Sequence, residues 1–492
     1  MKTAGQFAPL LTLALFTGTA WAGGNEPGGQ TSPVSPVLAQ APAGTVPTDL
    51  ANQHHFTATA VNSQNAARLQ QAWHIQTEHE VTHVPLVDGG HVYFADWGGN
   101  AYAADAASGR ILWKKNLEKP VMQWPWHGFA GSGALGEGML FEASAEGYVF
   151  ALDQNTGEVR WKTDFVPESQ YGGNLTRIVY YDGLLYVGGS SVEEPIDGMM
   201  KQMGKPFTPS FQGKVTAINA KTGKVVWEQK LVQAPQNGVP VWSGFAVDPE
   251  MNALFTTTGN NYTGEATANS DAVMALDLKT GAIKWSTQLT PNDVWTKGRP
   301  IGPDFDFGAA PQLFEANVNG QMRQLVGAGQ KSGYFHALDR QTGERVWSNF
   351  VGYGAAGGGI HADAAIANST VYAWSNNNYT YAAPPEKHPI TVMALDAATG
   401  QPRWRVEGDK SQPANVPASG VLANDAYFVG SLDGRFRAYR ASDGKKVWTS
   451  PQHGEIGTAP VFVGNSMYFG VGVPKMFGNL KGNGVYAYRL GQ

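Results

Sequence analysis

One nine-residue pattern recurs along the chain and restricts its fold more than any other feature. It consists of Asp or Asn at the end of an apolar run, three residues, Gly, three residues and Trp. The copies read DAASGRILW (105–113), DQNTGEVRW (153–161), NAKTGKVVW (219–227), DLKTGAIKW (277–285), DRQTGERVW (339–347), DAATGQPRW (396–404) and, with Arg in first place, RASDGKKVW (440–448). Each copy predicts a β-hairpin. The Asp or Asn side chain accepts bonds from the turn amides, Gly takes the positive-φ position, and Trp returns on the next strand to pack between sheets. Alternating runs such as VYF (92–94), LYV (185–187), VYA (371–373) and AYF (426–428) precede the copies and predict a further strand pair in each unit. Two hairpin arms give one four-stranded sheet.

The tryptophans at 113, 161, 227, 285, 347, 404 and 448 space the units 44 to 66 residues apart. All-β units at such spacing are the blades of a propeller. An eighth unit, MYF (467–469) with GVYAY (484–488), lacks its Trp, and the early run AWHI (72–75) is placed to complete it. The expectation is all-β: one eight-bladed β-propeller of four-stranded antiparallel sheets over residues 51–492, closed by joining the two ends of the chain. A solenoid is the structural alternative, against which the missing last Trp and the early extra strand both argue. The 61 glycines and 15 tryptophans suit short strands, tight turns and packed sheets.

The net charge of -5 offers no basic stripe for phosphates, which excludes a nucleic-acid partner. Residues 1–22, MKTAGQFAPLLTLALFTGTAWA, combine Lys2, an apolar run through Leu10 to Phe16 and small residues at Ala20 and Ala22, the pattern of a secretory signal peptide. Its apolar run is too short to span a bilayer, so no membrane anchor is expected and export to the periplasm is. Residues 23–50 are read as a flexible Gly/Pro/Ser-rich leader. Cysteine is absent, which removes disulfides, thiolate metal sites, haem attachment and a lipidated cysteine from consideration.

Function is sought where units depart from the repeat, because loops on one face of a rigid scaffold carry sites. Five stretches do so: GGSSVEEP (188–195), VPVWSGF (239–245), TTTGNNYTG (256–264), GPDFDFGAAP (302–311) and GAGQKSG (327–333). Taken singly, Glu193 and Glu194 read as a solvated pair, Asn260 as a turn residue, Asp304 and Asp306 as turn caps, and Lys331 as a surface charge. Taken together, with each stretch read as an inter-blade segment, they converge on one channel mouth. Carboxylate and amide oxygens make a hard-cation site of the calcium type. Lys331 supplies positive charge for an oxyanion, and the nonrepeat Trp242 offers a flat surface for a planar cofactor. His127 and His361 also lie in nonrepeat loops, where a satisfied histidine is the simpler reading. The Met-rich insertion PIDGMMKQMGKPFTPSF (195–211) reads as a long loop forming a lid or partner surface.

At these residues the chain resembles the eight-bladed quinoprotein alcohol dehydrogenases, which use pyrroloquinoline quinone and a metal ion, and among them the polyvinyl alcohol dehydrogenase type. The resemblance spans about residue 70 to the end. It implies a metal site of Glu, Asn and Asp. SSVEE matches the glutamate stretch, favouring Glu194 over Glu193; TTTGNN places Asn260; DFDFG supplies the catalytic aspartate. Asp304 is favoured as base by its separation from Lys331, with Asp306 as a second acid associated in some relatives with a lanthanide. It further implies Trp242, Ser190, Ser191, Asn376 and Lys331 as cofactor contacts. Three departures stand out: the covering adjacent-cysteine disulfide and the haem domain of some relatives are missing, and a tryptophan of many relatives is Val416 here.

The resemblance implies periplasmic oxidation of a primary or secondary alcohol, including a polymeric one, with Ca2+ or a lanthanide as metal and an external acceptor, a cytochrome c. The alternatives are a noncatalytic envelope scaffold that binds other proteins, and a sugar or aldehyde dehydrogenase using the same cofactor.

Overall fold

The computed structural model describes residues 49–118, 127–167, 171–377, 390–408, 418–474 and 482–491. The expected signal peptide, most of the expected leader and Val416 lie outside these residues. Eight twisted antiparallel sheets follow one another along the chain, each with its strands ordered by sequence. Blade 1 runs from Leu86–Asp88 to Ile111–Asn116, blade 2 from Ala134–Gly136 to Val159–Asp164, blade 3 from Val179–Tyr181 to Val225–Lys230, and blade 4 from Phe245–Asp248 to Ile283–Gln288. Blade 5 runs from Gln312–Val318 to Arg345–Phe350, blade 6 from Ala365–Ala367 to Pro402–Glu407, and blade 7 from Val421–Ala423 to Lys446–Thr449. Blade 8 takes three strands from the C-terminal end, Val461–Val463, Ser466–Val471 and Gly484–Leu490, and its fourth, Leu69–Ile75, from the N-terminal end. The ring therefore closes through the chain's two ends, and Trp73 supplies the tryptophan that the eighth repeat lacks.

The repeat turn joins the third and fourth strand of a blade. In blade 4, Asp277 Oδ1 accepts bonds from the Lys279 and Thr280 amides and the Thr280 hydroxyl. The motif also does something its sequence does not announce: it docks one blade on the next. The indole N–H of Trp73, Trp113, Trp161, Trp227, Trp285, Trp347 and Trp404 donates to the carbonyl of Ala106, Gln154, Ala220, Leu278, Arg340, Ala397 and Ala441, the residue after the Asp, Asn or Arg of the following turn. The glycines of those turns have φ between 68 and 74°. A Cβ on Gly157 would lie 2.6 Å from the Trp113 ring and one on Gly281 2.5 Å from that of Trp227. Glycine is thus required twice, for backbone sign and for room.

Apolar cores fill the spaces between neighbouring sheets. Tyr186, Val215 and Trp227 of blade 3 pack with Phe245, Leu254 and Met274 of blade 4, and Phe335 and Trp347 of blade 5 with Val371 and Met393 of blade 6.

Two features differ from expectation. Blade 7 has five strands, because His55–Phe56 adds in parallel to Val421–Ala423. The Met-rich insertion is not simply a loop: Glu193–Gln202 forms a helix, α1. Its first turn carries Glu193 and Glu194 and its last Lys201, the charge order the helix dipole favours. Pro195 is tolerated there because the first turn makes no use of its amide. The helix is held by Lys201 Nζ donating to Gly298 O at 2.7 Å and by an Arg299–Asp197 ion pair at 2.9 Å.

Candidate functional site

The five departures prove to be of two kinds, which corrects the expectation that all lie between blades. Residues 239–245 and 302–311 are inter-blade connectors; the stretches around Glu194, Asn260 and Lys331 join the second and third strands within blades 3, 4 and 5. Strand parity brings them together: in a four-stranded meander, second-to-third loops and inter-blade connectors open on one face, while first-to-second and third-to-fourth turns open on the other. The repeat motif occupies one face and the departures the other.

On that face Lys331 Nζ lies 2.8 Å from Asp304 Oδ1 and 3.2 Å from Asp306 Oδ2, with all three side chains buried. It also stands 5.1 Å from the centre of the Trp242 ring. Trp242, half-buried, donates from Nε1 to Asp306 Oδ2 at 3.1 Å, which fixes the indole plane. Asp306 Oδ1 accepts the Asn260 amide at 3.0 Å. Oxygen atoms of Glu194, Asp304 and Asp306 fall within 4.8 Å of one another. The Asn260 side-chain NH2 is spent on the carbonyls of Asn261 and Trp295, at 2.6 and 2.8 Å. That leaves Asn260 Oδ1, like Asp304 Oδ2, buried without a hydrogen-bond partner.

Burial raises the Glu194 pKa to about 7, opposed by Lys331 and reinforced by Asp306. Burial holds Asp304 well above the usual carboxylate range, with Lys331 opposing and Asp306 and Glu194 adding to the shift. A group of acids that crowds its own protons in this way is one that a cation relieves.

Other expected residues have different placements. Glu193 is not available as a metal ligand: Oε2 accepts the amides of Ser210 and Phe211, both at 2.8 Å, and Oε1 the Ser210 hydroxyl at 3.0 Å. Successive helical residues point about 100° apart, so α1 turns Glu193 toward the loop that follows it. Ser190 and Ser191 pair with Gly173 and Gly172 in a short ladder, and their hydroxyls donate to the carbonyls of Gly173 and Tyr171. Asn376 donates to Gly357 O at 2.9 Å, and its backbone N–H bonds Gly359 O, bracing the glycine loop packed on Lys331. His127 pairs with Glu146 at 2.5 Å.

Two acids carry no sequence signal. Asp293 accepts the amides of Asp304 and Phe305, at 3.2 and 2.7 Å, and so stabilises Asp304 in its left-handed conformation, φ 58°. Asp271 is buried with both carboxylate oxygens unpartnered, and burial with the nearby Asp306, Asp293 and Asp304 holds its proton on. Neither stands in a motif; only the fold makes them neighbours of the site.

The sequence family described as "Outer membrane protein assembly factor BamB" matches residues 57–349, 204–387 and 390–486. The chain belongs to this family of quinoprotein-type propellers. Among its relatives is a polyvinylalcohol dehydrogenase of Sphingopyxis sp. (strain 113P3), 30% identical over 79% of this chain and 64% of the relative. The chain thus spans somewhat under two thirds of that relative's length. Among solved structures, the quinohemoprotein alcohol dehydrogenase ADHIIG from Pseudomonas putida HK5 superposes with a TM-score of 0.73 at 19% identity, covering 90% of this chain and 79% of that one. A europium-containing methanol dehydrogenase does so with a TM-score of 0.72 at 18% identity, over 90% and 96%. Both share the propeller fold. Among the described residues no helix is long and apolar enough to cross a membrane.

Proposed function

We propose that the chain is a quinoprotein dehydrogenase that oxidises an alcohol, using pyrroloquinoline quinone and a hard divalent or trivalent cation held by Glu194 and Asn260, with Asp304 and Asp306 beside it adding negative charge. The observation that carries this reading is the pair of buried oxygens without partners, Asn260 Oδ1 and Asp304 Oδ2, beside Glu194. An amide oxygen and carboxylates in this arrangement fit a calcium or lanthanide ion rather than zinc or copper. The platform for the planar cofactor is built with equal economy: a Cβ on Gly308 would lie 2.7 Å from the Trp242 ring, and one on Gly259 2.9 Å from Asp306 Oδ2. Glycine at both places keeps the surface of the platform clear.

When bound, pyrroloquinoline quinone would supply the two-electron redox chemistry and the cation Lewis acidity. The chain's own groups divide the remaining work. Asp306 has both oxygens engaged, by Asn260 on one side and Trp242 and Lys331 on the other, and acts as a positioning carboxylate. Asp304 has Oδ1 on Lys331 and Oδ2 free, so Asp304 Oδ2 takes the hydroxyl proton. Lys331 opposes the rise in the Asp304 pKa, a bound cation would oppose it further, and the lysine's positive charge stands beside the oxygen that gains charge. Export to the periplasm and transfer of electrons to a cytochrome c complete the reading.

Reconstitution with pyrroloquinoline quinone and calcium or lanthanum tests it. Wild-type protein should bind the cofactor, shown by its absorbance, and reduce a dye when given an alcohol. Asp304→Asn should lower kcat at least a hundredfold, the usual scale for a general base, with an unchanged melting curve. Failure to bind cofactor with any of the metals favours the assembly-factor description of the family instead.

A further inference from the structure

Helix α1 and the short hairpin that pairs Trp295–Thr296 with Arg299–Pro300 both stand outside the blades, and they meet at a buried carboxylate that the scheme above leaves unused. Asp197 Oδ2 accepts the Thr296 hydroxyl, and Oδ1 pairs with Arg299 Nη1 at 2.9 Å. The buried Thr296 Oγ1 in turn accepts the Arg299 amide at 3.0 Å, so the hairpin is folded around the carboxylate. Gly298 leaves the room this needs: a Cβ there would lie 2.3 Å from Asp197 Oδ2.

Each end of this contact leads to a group assigned to the cation. Glu194 and Asp197 are three residues apart in α1 and so project from the same side of the helix. In the hairpin, the carbonyl of Trp295, next to Thr296, accepts the Asn260 side-chain NH2 at 2.8 Å. Asn261 O accepts from the same NH2 at 2.6 Å, which leaves Oδ1 as the free atom of the Asn260 amide. Glu193 anchors α1 only to the loop that follows it, whereas Asp197 anchors it to the segment that orients Asn260. An oxygen site separates ions of equal charge by size only as far as its ligands resist moving. On the strength of the proposed function, we propose that Asp197 is a positioning residue for the cation: by locking α1 to the hairpin it fixes the gap between the Glu194 and Asn260 oxygens, and so sets the size of ion the site accepts.

The test is isothermal titration of calcium and of barium into the metal-free full-length protein, with no cofactor present. The two ions carry the same charge, so the crowded acids favour both alike and size separates them. Wild type should prefer calcium. Asp197→Ala should weaken calcium about tenfold, the low end of the range for removing a group that holds a ligand in place, and barium much less, so the preference narrows. Thr296→Val, which removes the hydroxyl and keeps the shape, should reproduce that loss, and Thr296→Ser should restore the preference. Lys201→Met removes the bond from the far end of α1 to Gly298 O; it should lower the melting temperature and leave the preference unchanged. Melting curves establish that every variant folds. A wild type that does not prefer calcium overturns the inference. So does equal weakening of both ions in Asp197→Ala, an unchanged preference in Thr296→Val, or a preference lost equally in Lys201→Met, which would make general docking of the helix the cause. A wild type that binds neither ion overturns the proposed function itself, a result distinct from all of these.

Discussion

Glu193 and Glu194 are adjacent in sequence and opposite in role. Glu193 satisfies three donors in the loop after α1 and is part of the scaffold, whereas Glu194 crowds Asp304 and Asp306. Glu193→Gln should therefore lower the melting temperature, since one oxygen that accepted backbone amides becomes a mismatched NH2, at a cost of about 1–3 kcal/mol. Calcium affinity in that variant should change little. Glu194→Gln should do the reverse, losing most calcium affinity by isothermal titration while the metal-free protein melts no lower, because a neutral side chain relieves the repulsion. The same reasoning fixes a pH dependence. With its pKa raised to about 7 by burial in the metal-free protein, Glu194 must shed a proton before it binds a cation. Apparent calcium affinity should fall as pH drops from 7 toward 5 and level off above about 8, with proton release on binding. A flat profile would place the ligand elsewhere.

The repeat turn is where sequence and structure correspond most closely, and the reason is that its physics is local. Asp, Thr and Gly in fixed order specify one hairpin wherever they occur, so seven copies spelled out the blades. The same locality explains what was not legible. The bond from each of these Trp N–H groups to a turn carbonyl of the next blade joins residues 33 to 59 positions apart along the chain, from Trp73–Ala106 to Trp161–Ala220. Asp293 and Asp271 stand in irregular segments with no spacing to mark them, and the division of labour between Glu193 and Glu194 depended on an unforeseen helix. The metal-type acids and Lys331 were legible only as departures from a regular background. Gly281→Ala tests the docking role directly. The new Cβ meets the Trp227 ring and forces alanine to a φ of 74°, so destabilisation of about 1–3 kcal/mol is expected from overpacking and backbone strain combined. Gly320→Ala, also at positive φ but with nothing within 4 Å of its Cβ, isolates the backbone share. If the two variants melt together, the tryptophan contact contributes nothing.

At the scale of the whole ring, closure rests on two devices of the N-terminal region. Leu69–Ile75 completes blade 8. Ahead of it, residues 50–60 run across the inner strands of five blades: the amides of Val247, Leu313, Ile366, Leu422, Asn424 and Gly464 donate to the carbonyls of Leu50, Ala51, Gln53, His54, Phe56 and Ala58, and Ala60 N–H returns to Gly464 O. This strap also reaches the site. Asn52 Nδ2 and His54 Nε2 bond Asp363 Oδ2, whose partner oxygen, Oδ1, accepts the amide of Ala310 at the end of the connector bearing Asp304 and Asp306. A chain beginning at Ser63 keeps the closing strand and loses the strap. With each backbone bond worth about 0.5–1.5 kcal/mol net, it should remain a folded propeller but melt several degrees lower and bind calcium more weakly. A chain beginning at Gln76 loses the closing strand as well, exposing the edge of blade 8, and should aggregate. Acid should narrow the difference between full-length and Ser63-start proteins without erasing it, because the strap's backbone bonds do not titrate. Although burial opposes it, Asp363 is held below its ordinary pKa by His54 and Arg177, so its contribution is present above the unfolded value near 4 and is lost as pH falls through the depressed one. Equal melting temperatures for the two proteins at neutral pH would show instead that blade 8 closes the ring unaided.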